Sequence, residues 1–119
     1  MKQEFLNSLT NSNIDTKGAI NRFAGNVDLF EKFIFKFPDD PTFVNIKPSF
    51  DSLNYQEALN AVHTLKGLSG NLGMTRLYNA CSNTTLLLRA GKNKEAAASY
   101  SEIETSYNEI ISIISKFKS

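Results

Sequence analysis

One cysteine, one histidine and three prolines are spread over the 119 residues of this chain, and its charges almost cancel. Each scarcity excludes something. Cys81 has no second cysteine to pair with, so no intrachain disulfide can form, and a reducing, cytoplasmic setting is expected. With one Cys and one His, the side chains that bind zinc best cannot complete a tetrahedral site. Thirteen basic residues against twelve acidic ones leave a formal net charge of +1, which supplies no whole-chain attraction to nucleic acid or anionic lipid. No glycine-rich phosphate loop of either common pattern occurs, so ATP binding is not expected. No apolar stretch is long enough to span a bilayer. In Met1-Lys2-Gln3-Glu4-Phe5 no apolar run follows the lysine, so neither membrane insertion nor a secretory leader is expected.

What is present suits one packed core. Apolar residues make up 41% of the chain and nine phenylalanines supply bulk, as in a single ordinary domain over residues 1–119. There is no repeat, low-complexity tract or linker. The apolar residues recur with helical spacing and no pair of alternating strands appears. The expected fold is all-α, an up-and-down antiparallel four-helix bundle with additional short N-terminal helices. A monomer is expected, because no second long apolar seam is left over.

The segments can be placed. Phe5, Leu6 and Leu9 predict a short amphipathic helix across one end of the bundle. Asp15 or Thr16 can cap the next helix, which should stop at Gly25. Asn26 caps a helix with Leu29, Phe30, Phe33, Ile34 and Phe37 on its buried face. Pro38-Asp39-Asp40-Pro41 is a turn, and Asp40 before Pro41 resembles an N-cap followed by a first-turn proline. Phe43, Val44, Ile46 and Phe50 continue helically, with a kink or break at Pro48. Asn54 and Glu57 fit a capping box opening a helix that ends at Gly73. A helix from about Thr75 to Ala90 buries Leu77, Cys81, Thr84 and Leu88. The last, from Lys94 to about Lys116, carries Ala96, Tyr100, Ile103, Tyr107, Ile110, Ile114 and Phe117 in alternating steps of four and three, a core-packing pattern.

One face departs from this economy. On the 54–73 helix, Ala58, Ala61, Val62, Leu65, Ser69 and Leu72 gather on the core side. His63, Lys66, Gly67 and Gly70 fall within an arc of about 100° pointing away from it. Each glycine inside a helix costs about 1 kcal/mol relative to alanine, so helix stability does not explain them. Close approach of another molecule does, because a missing Cβ exposes backbone. Lys66 lies one turn from His63, within reach of a charged group on the imidazole. Leu59, one turn before His63, suggests an apolar docking patch.

The chemistry that fits is phosphoryl transfer. Imidazole in water titrates at about pH 6.5, so a nucleophilic neutral form is available near pH 7. It can attack an aspartyl phosphate and later return the phosphoryl group. Negative charge spreads over the oxygens in flight, and Lys66 would stabilise it. No cofactor is expected on this chain. Any Mg²⁺ would belong to the partner, since this segment has no carboxylates to hold it.

The run His63-Thr64-Leu65-Lys66-Gly67, followed by Ser69, Leu72 and Gly73, resembles the His-x-Leu-Lys-Gly-x-Ser/Ala-x-x-Leu-Gly signature of histidine-containing phosphotransfer (HPt) domains. Ile14-Asp15, Arg22 and Gly25, the region from Phe33 to Phe37, Asp51 and Cys81 extend the likeness over nearly the whole chain. The resemblance implies a four-helix bundle and phosphorylation of His63 on the nitrogen farther from the backbone. It implies exchange with receiver-domain aspartates of response regulators or of a hybrid sensor histidine kinase, without kinase or ATPase activity of the domain's own. By the same motif Lys66 is the phosphate-side cation, Gly67 leaves room, and Ser69 and Gly70 are small residues beside the site, facing a partner. One departure stands out. Where many members have a Leu-Glu pair after the Cys81 position, this chain has Thr84 and Thr85, which bears on partner choice or local polarity.

Two other functions use the same face. One is a non-catalytic adaptor that binds receiver or kinase domains. The other is the phosphoacceptor module of a chemotaxis-type kinase. Away from the face, Cys81 reads as a buried small apolar residue, and Arg76 and Arg89 as surface charges.

Overall fold

Side-chain caps set the starts of three of the helices. In the computed structural model, which describes residues 1–118, seven α-helices form: α1 Gln3–Asn11, α2 Thr16–Arg22, α3 Val27–Lys36, α4 Ile46–Asp51, α5 Tyr55–Asn71, α6 Thr75–Arg89 and α7 Asn93–Phe117. Single 3-10 turns occupy Phe37–Asp39 and Phe43–Asn45. The Asp15, Asn26 and Asn54 side chains each accept a hydrogen bond from a first-turn backbone N–H, of Gly18, Leu29 and Glu57 respectively, at 3.0, 3.0 and 3.2 Å. These bonds satisfy donors that a helix start leaves without intrahelical partners. Among the described residues no strand forms, and no helix is long and apolar enough to cross a membrane.

The body of the molecule is a helical bundle. Three-residue connections join α5 to α6 and α6 to α7, so each long helix packs antiparallel to the one before it. Leu77, Cys81, Thr84 and Leu88 of α6 and Ala96, Ile103, Tyr107, Ile110 and Ile114 of α7 are buried, as their spacing predicts. The fourth side is the segment from Phe43 through α4. Phe43 stacks on Tyr107 with ring centroids 3.7 Å apart, and Phe50 packs against Tyr55 and Tyr100. α1 crosses the end of the bundle, where Phe5 stacks between Phe35 and Phe117 at 5.1 and 5.0 Å.

Several N-terminal details differ from the periodicity. Phe30, Ile34 and Phe37 are buried, but Leu29 and Phe33 are 36% and 42% exposed. The core covers a narrow stripe of α3, and Phe33 stacks instead on Phe23 at 5.3 Å. α2 stops at Arg22, three residues before Gly25. Asp40 does not cap a helix; its carboxylate accepts from Thr42 N at 2.9 Å, closing an Asx turn. Pro48 neither kinks nor breaks α4, because it is the third residue of that helix, where no intrahelical N–H bond is lost.

The two threonines that depart from the HPt pattern are both inside. The Thr84 and Ser99 hydroxyls share a hydrogen bond of 2.6 Å. Thr85 is 1% exposed, and among the described residues neither its hydroxyl nor that of the buried Ser106 has a hydrogen-bond partner. Thr85 therefore bears on interior polarity and does not face a partner. Removing an unpaired buried hydroxyl while keeping the shape relieves its desolvation cost. Thr85→Val is expected to raise stability by about 1 kcal/mol, read as a higher urea midpoint at unchanged slope. A lower midpoint would show that the hydroxyl is satisfied in solution.

Candidate functional site

α5 is held at both ends by bonds that orient its outer face. At its start Asn54 accepts from Glu57 N, while the Asn54 N–H is taken by Ser49 O at 2.9 Å, so only half of the expected capping box forms. At its end Gly73 has φ +70°, Met74 N donates to Ser69 O at 2.9 Å and Gly73 N to Gly70 O at 3.2 Å. This is a Schellman closure, which requires a left-handed residue at Gly73.

Gly73 does more than stop the helix. Its carbonyl accepts from Asp15 N at 2.7 Å, and a Cβ here would collide with the Asp15 carbonyl oxygen. Asp15 is also the cap of α2. One tight crossing thus sets α2 beside the C-terminal half of α5. Gly73→Ala is expected to cost about 2 kcal/mol or more, from the left-handed backbone and the collision together. Urea unfolding measures it, and an unchanged midpoint would contradict the geometry.

The core side of α5 is Ala58, Val62, Leu65 and Ser69, all buried. On the other side His63 and Gly67 are exposed and Lys66 is half-buried. Among the described residues no side chain hydrogen-bonds either ring nitrogen of His63, and Lys66 makes no ion pair. The Lys66 ammonium sits 5.6 Å from the centroid of the Tyr78 ring of α6, a cation–π distance that steadies it. Apart from the helix's own backbone and the two chain neighbours, no described atom lies within 4 Å of where a Cβ on Gly67 would stand. Leu59, a turn before His63, is half-buried against the core with part of its surface outward.

Two expectations for this face are corrected. Ser69 does not face a partner: it is 0% exposed, and its hydroxyl donates to Lys66 O at 3.0 Å. Gly70 is not open in the way Gly67 is, because a Cβ there would meet the Tyr78 ring at 3.1 and 3.2 Å. Its missing side chain makes room for Tyr78. Gly70 and Tyr78 both lie close to the α5–α6 turn, one on each antiparallel helix, and that proximity was the available signal for Tyr78.

A cleft of about 460 Å³ opens along the Gly67–Gly70 flank, lined by Lys66, Gly67, Gly70, Tyr78, Thr75 and, from α2, Arg22. His63 stands outside it, one turn N-terminal to Lys66. Arg22 and Asn71 also border a more apolar groove of about 530 Å³ formed by Phe23, Phe33, Phe37 and Leu68. Arg22 entered the sequence reading only through the family likeness; its place beside α5 follows from the Asp15–Gly73 crossing. Arg76, expected as a plain surface charge, is paired with Glu109 and Glu102 of α7 at 3.0 and 3.5 Å. Cys81 is buried, and burial pushes its thiol up to about 12 against the opposing charge of Lys66. It is therefore no competing nucleophile.

The helical bundle thus carries its one histidine on the outside of α5, beside the bare backbone of Gly67 and a Lys66 ammonium that makes no ion pair among the described residues. The chain belongs to the Hpt domain family, whose model matches residues 38–113, from the turn before α4 to the last turns of α7. No curated protein and no solved structure gave a significant match. Hpt domains carry out histidine phosphotransfer in phosphorelays and generally pass phosphoryl groups to receiver domains.

Proposed function

We propose that this chain is a phosphorelay carrier in which His63 takes a phosphoryl group from a receiver-domain aspartate and gives it to another. The observation that carries the reading is the outer face of α5, with an exposed imidazole, an unpaired Lys66 ammonium one turn away and open space over Gly67. In the forward step the nitrogen lone pair of His63 forms the P–N bond. The P–O bond to the aspartyl carboxylate breaks, and the carboxylate leaves with the electron pair. The return step reverses this. Lys66 stabilises the phosphoryl oxygens in flight. The divalent ion of such a transfer belongs to the receiver, where carboxylates can hold it. Response regulators and a hybrid sensor kinase are the sources of such receivers.

The test is incubation with a panel of receiver domains carrying labelled phosphate. Label should appear on this chain in an acid-labile, alkali-stable form, as a P–N bond requires. Binding without any transfer, persisting in His63→Ala, would point instead to the adaptor function.

A further inference from the structure

Lys66 is not the only uncommitted cation near the transfer face. Arg22, at the C-terminal end of α2, is exposed, makes no ion pair among the described residues and lines the cleft whose floor is Gly67 and Gly70. Of the other basic residues, Arg76, Lys47 and Lys118 are ion-paired, and among the described residues Arg22 and Lys66 are the basic side chains that line this cleft. The carboxylate lining the cleft is Asp15, and it is occupied in capping α2 through Gly18 N. The cleft therefore has one positive charge in excess, with lining that reaches from the turn after His63 to α2. Position matters as much as charge. The Asp15–Gly73 crossing fixes α2 against α5, so the site of Arg22 is set by backbone bonds and only its side chain must be ordered on binding.

A partner that forms an acyl phosphate on a carboxylate with a divalent ion must gather several carboxylates at its mouth. When the reacting aspartate is brought to His63, that acidic mouth lies over the flanks of α5. We propose that Arg22 is the docking cation of this protein: it pairs with the acidic mouth of the receiver across the glycine floor from Lys66 and selects which receivers engage. This rests on the phosphotransfer reading of His63. Arg22 touches the partner and not the phosphorus, so it governs encounter and affinity more than the chemical step.

The experiment is the rate of phosphoryl transfer from a labelled receiver domain to the full chain, followed against receiver concentration. The receiver is the one that labels the wild-type chain fastest. Arg22→Ala is expected to raise the half-saturating concentration about tenfold, and Arg22→Glu further, with the saturating rate within about twofold of wild type. Arg22→Lys should recover much of the loss, and the wild-type advantage should shrink at 0.5 M salt, as for a screened rim charge. The melting temperature should not move, because the side chain is exposed. Half-saturation unchanged in both Arg22→Ala and Arg22→Glu would overturn the docking role while leaving His63 as acceptor. A fall in saturating rate with half-saturation unchanged would also overturn it. If no receiver labels the wild-type chain, the phosphotransfer reading fails and the docking role with it.

Discussion

His63→Gln is expected to abolish acceptance of phosphate from every receiver that labels the wild-type chain, and to leave the fold as it was. Both halves follow from the position of the ring. Glutamine is close in size and favours the helix slightly more than histidine. The ring it replaces is exposed and, among the described residues, holds nothing in place. Surface changes of this kind shift stability by no more than about 0.5 kcal/mol. The amide has no nucleophilic lone pair, so no P–N bond forms. Label transfer and urea unfolding measured on the same preparation check the two halves together. Label persisting on His63→Gln would mean that another residue is the acceptor. Cys81 is not available for that role, since its thiol is buried and pushed up to about 12.

Gly67 gives the second large effect, with opposite signs on stability and activity. A Cβ at this position meets open space, and an interior helical glycine is worse than alanine by about 1 kcal/mol. Gly67→Ala and Gly67→Gln are therefore expected to stabilise the protein, by about 0.5–1 kcal/mol for alanine. The added side chain projects from the face where the phosphoryl donor must come close to His63 and Lys66. Transfer is expected to fall modestly in Gly67→Ala and by at least about tenfold in Gly67→Gln, because misplacement of reacting groups by about 1 Å costs up to a hundredfold. Gly70→Ala is the internal control. Its Cβ would press on Tyr78 at 3.1 Å, so the helix-propensity gain is offset by displacing the ring. Unimpaired transfer in Gly67→Gln would show that the open space over Gly67 is not the approach route.

Contrasts within α3 and α5 show what a linear pattern carries. Spacing in steps of three and four says which residues share a helix face, because that is a property of the helix alone. It separated His63, Lys66 and Gly67 from Val62, Leu65 and Ser69, and the structure keeps that separation. The family signature treats Ser69 as one of the small residues beside the histidine, whereas the helix turns it into the core. On α3 the same spacing joined Leu29 and Phe33 to Phe30 and Ile34. How wide a stripe is covered depends on the neighbour that packs there, and here the neighbour covers only part of it.

The amino-acid order by itself determined the helical class, the capped and glycine-terminated ends of α5, the buried seams of α6 and α7, and the outward direction of His63. All of these depend on contacts within one helix or across one turn. Only the tertiary structure decided that Gly70 serves Tyr78 while Gly67 stays bare, that Thr85 lies inside, and that Arg22 reaches the cleft beside Lys66. Each of those outcomes is set by the meeting of segments far apart in the chain, as when the backbone of Asp15 is held by Gly73, and no local periodicity encodes which segments will meet.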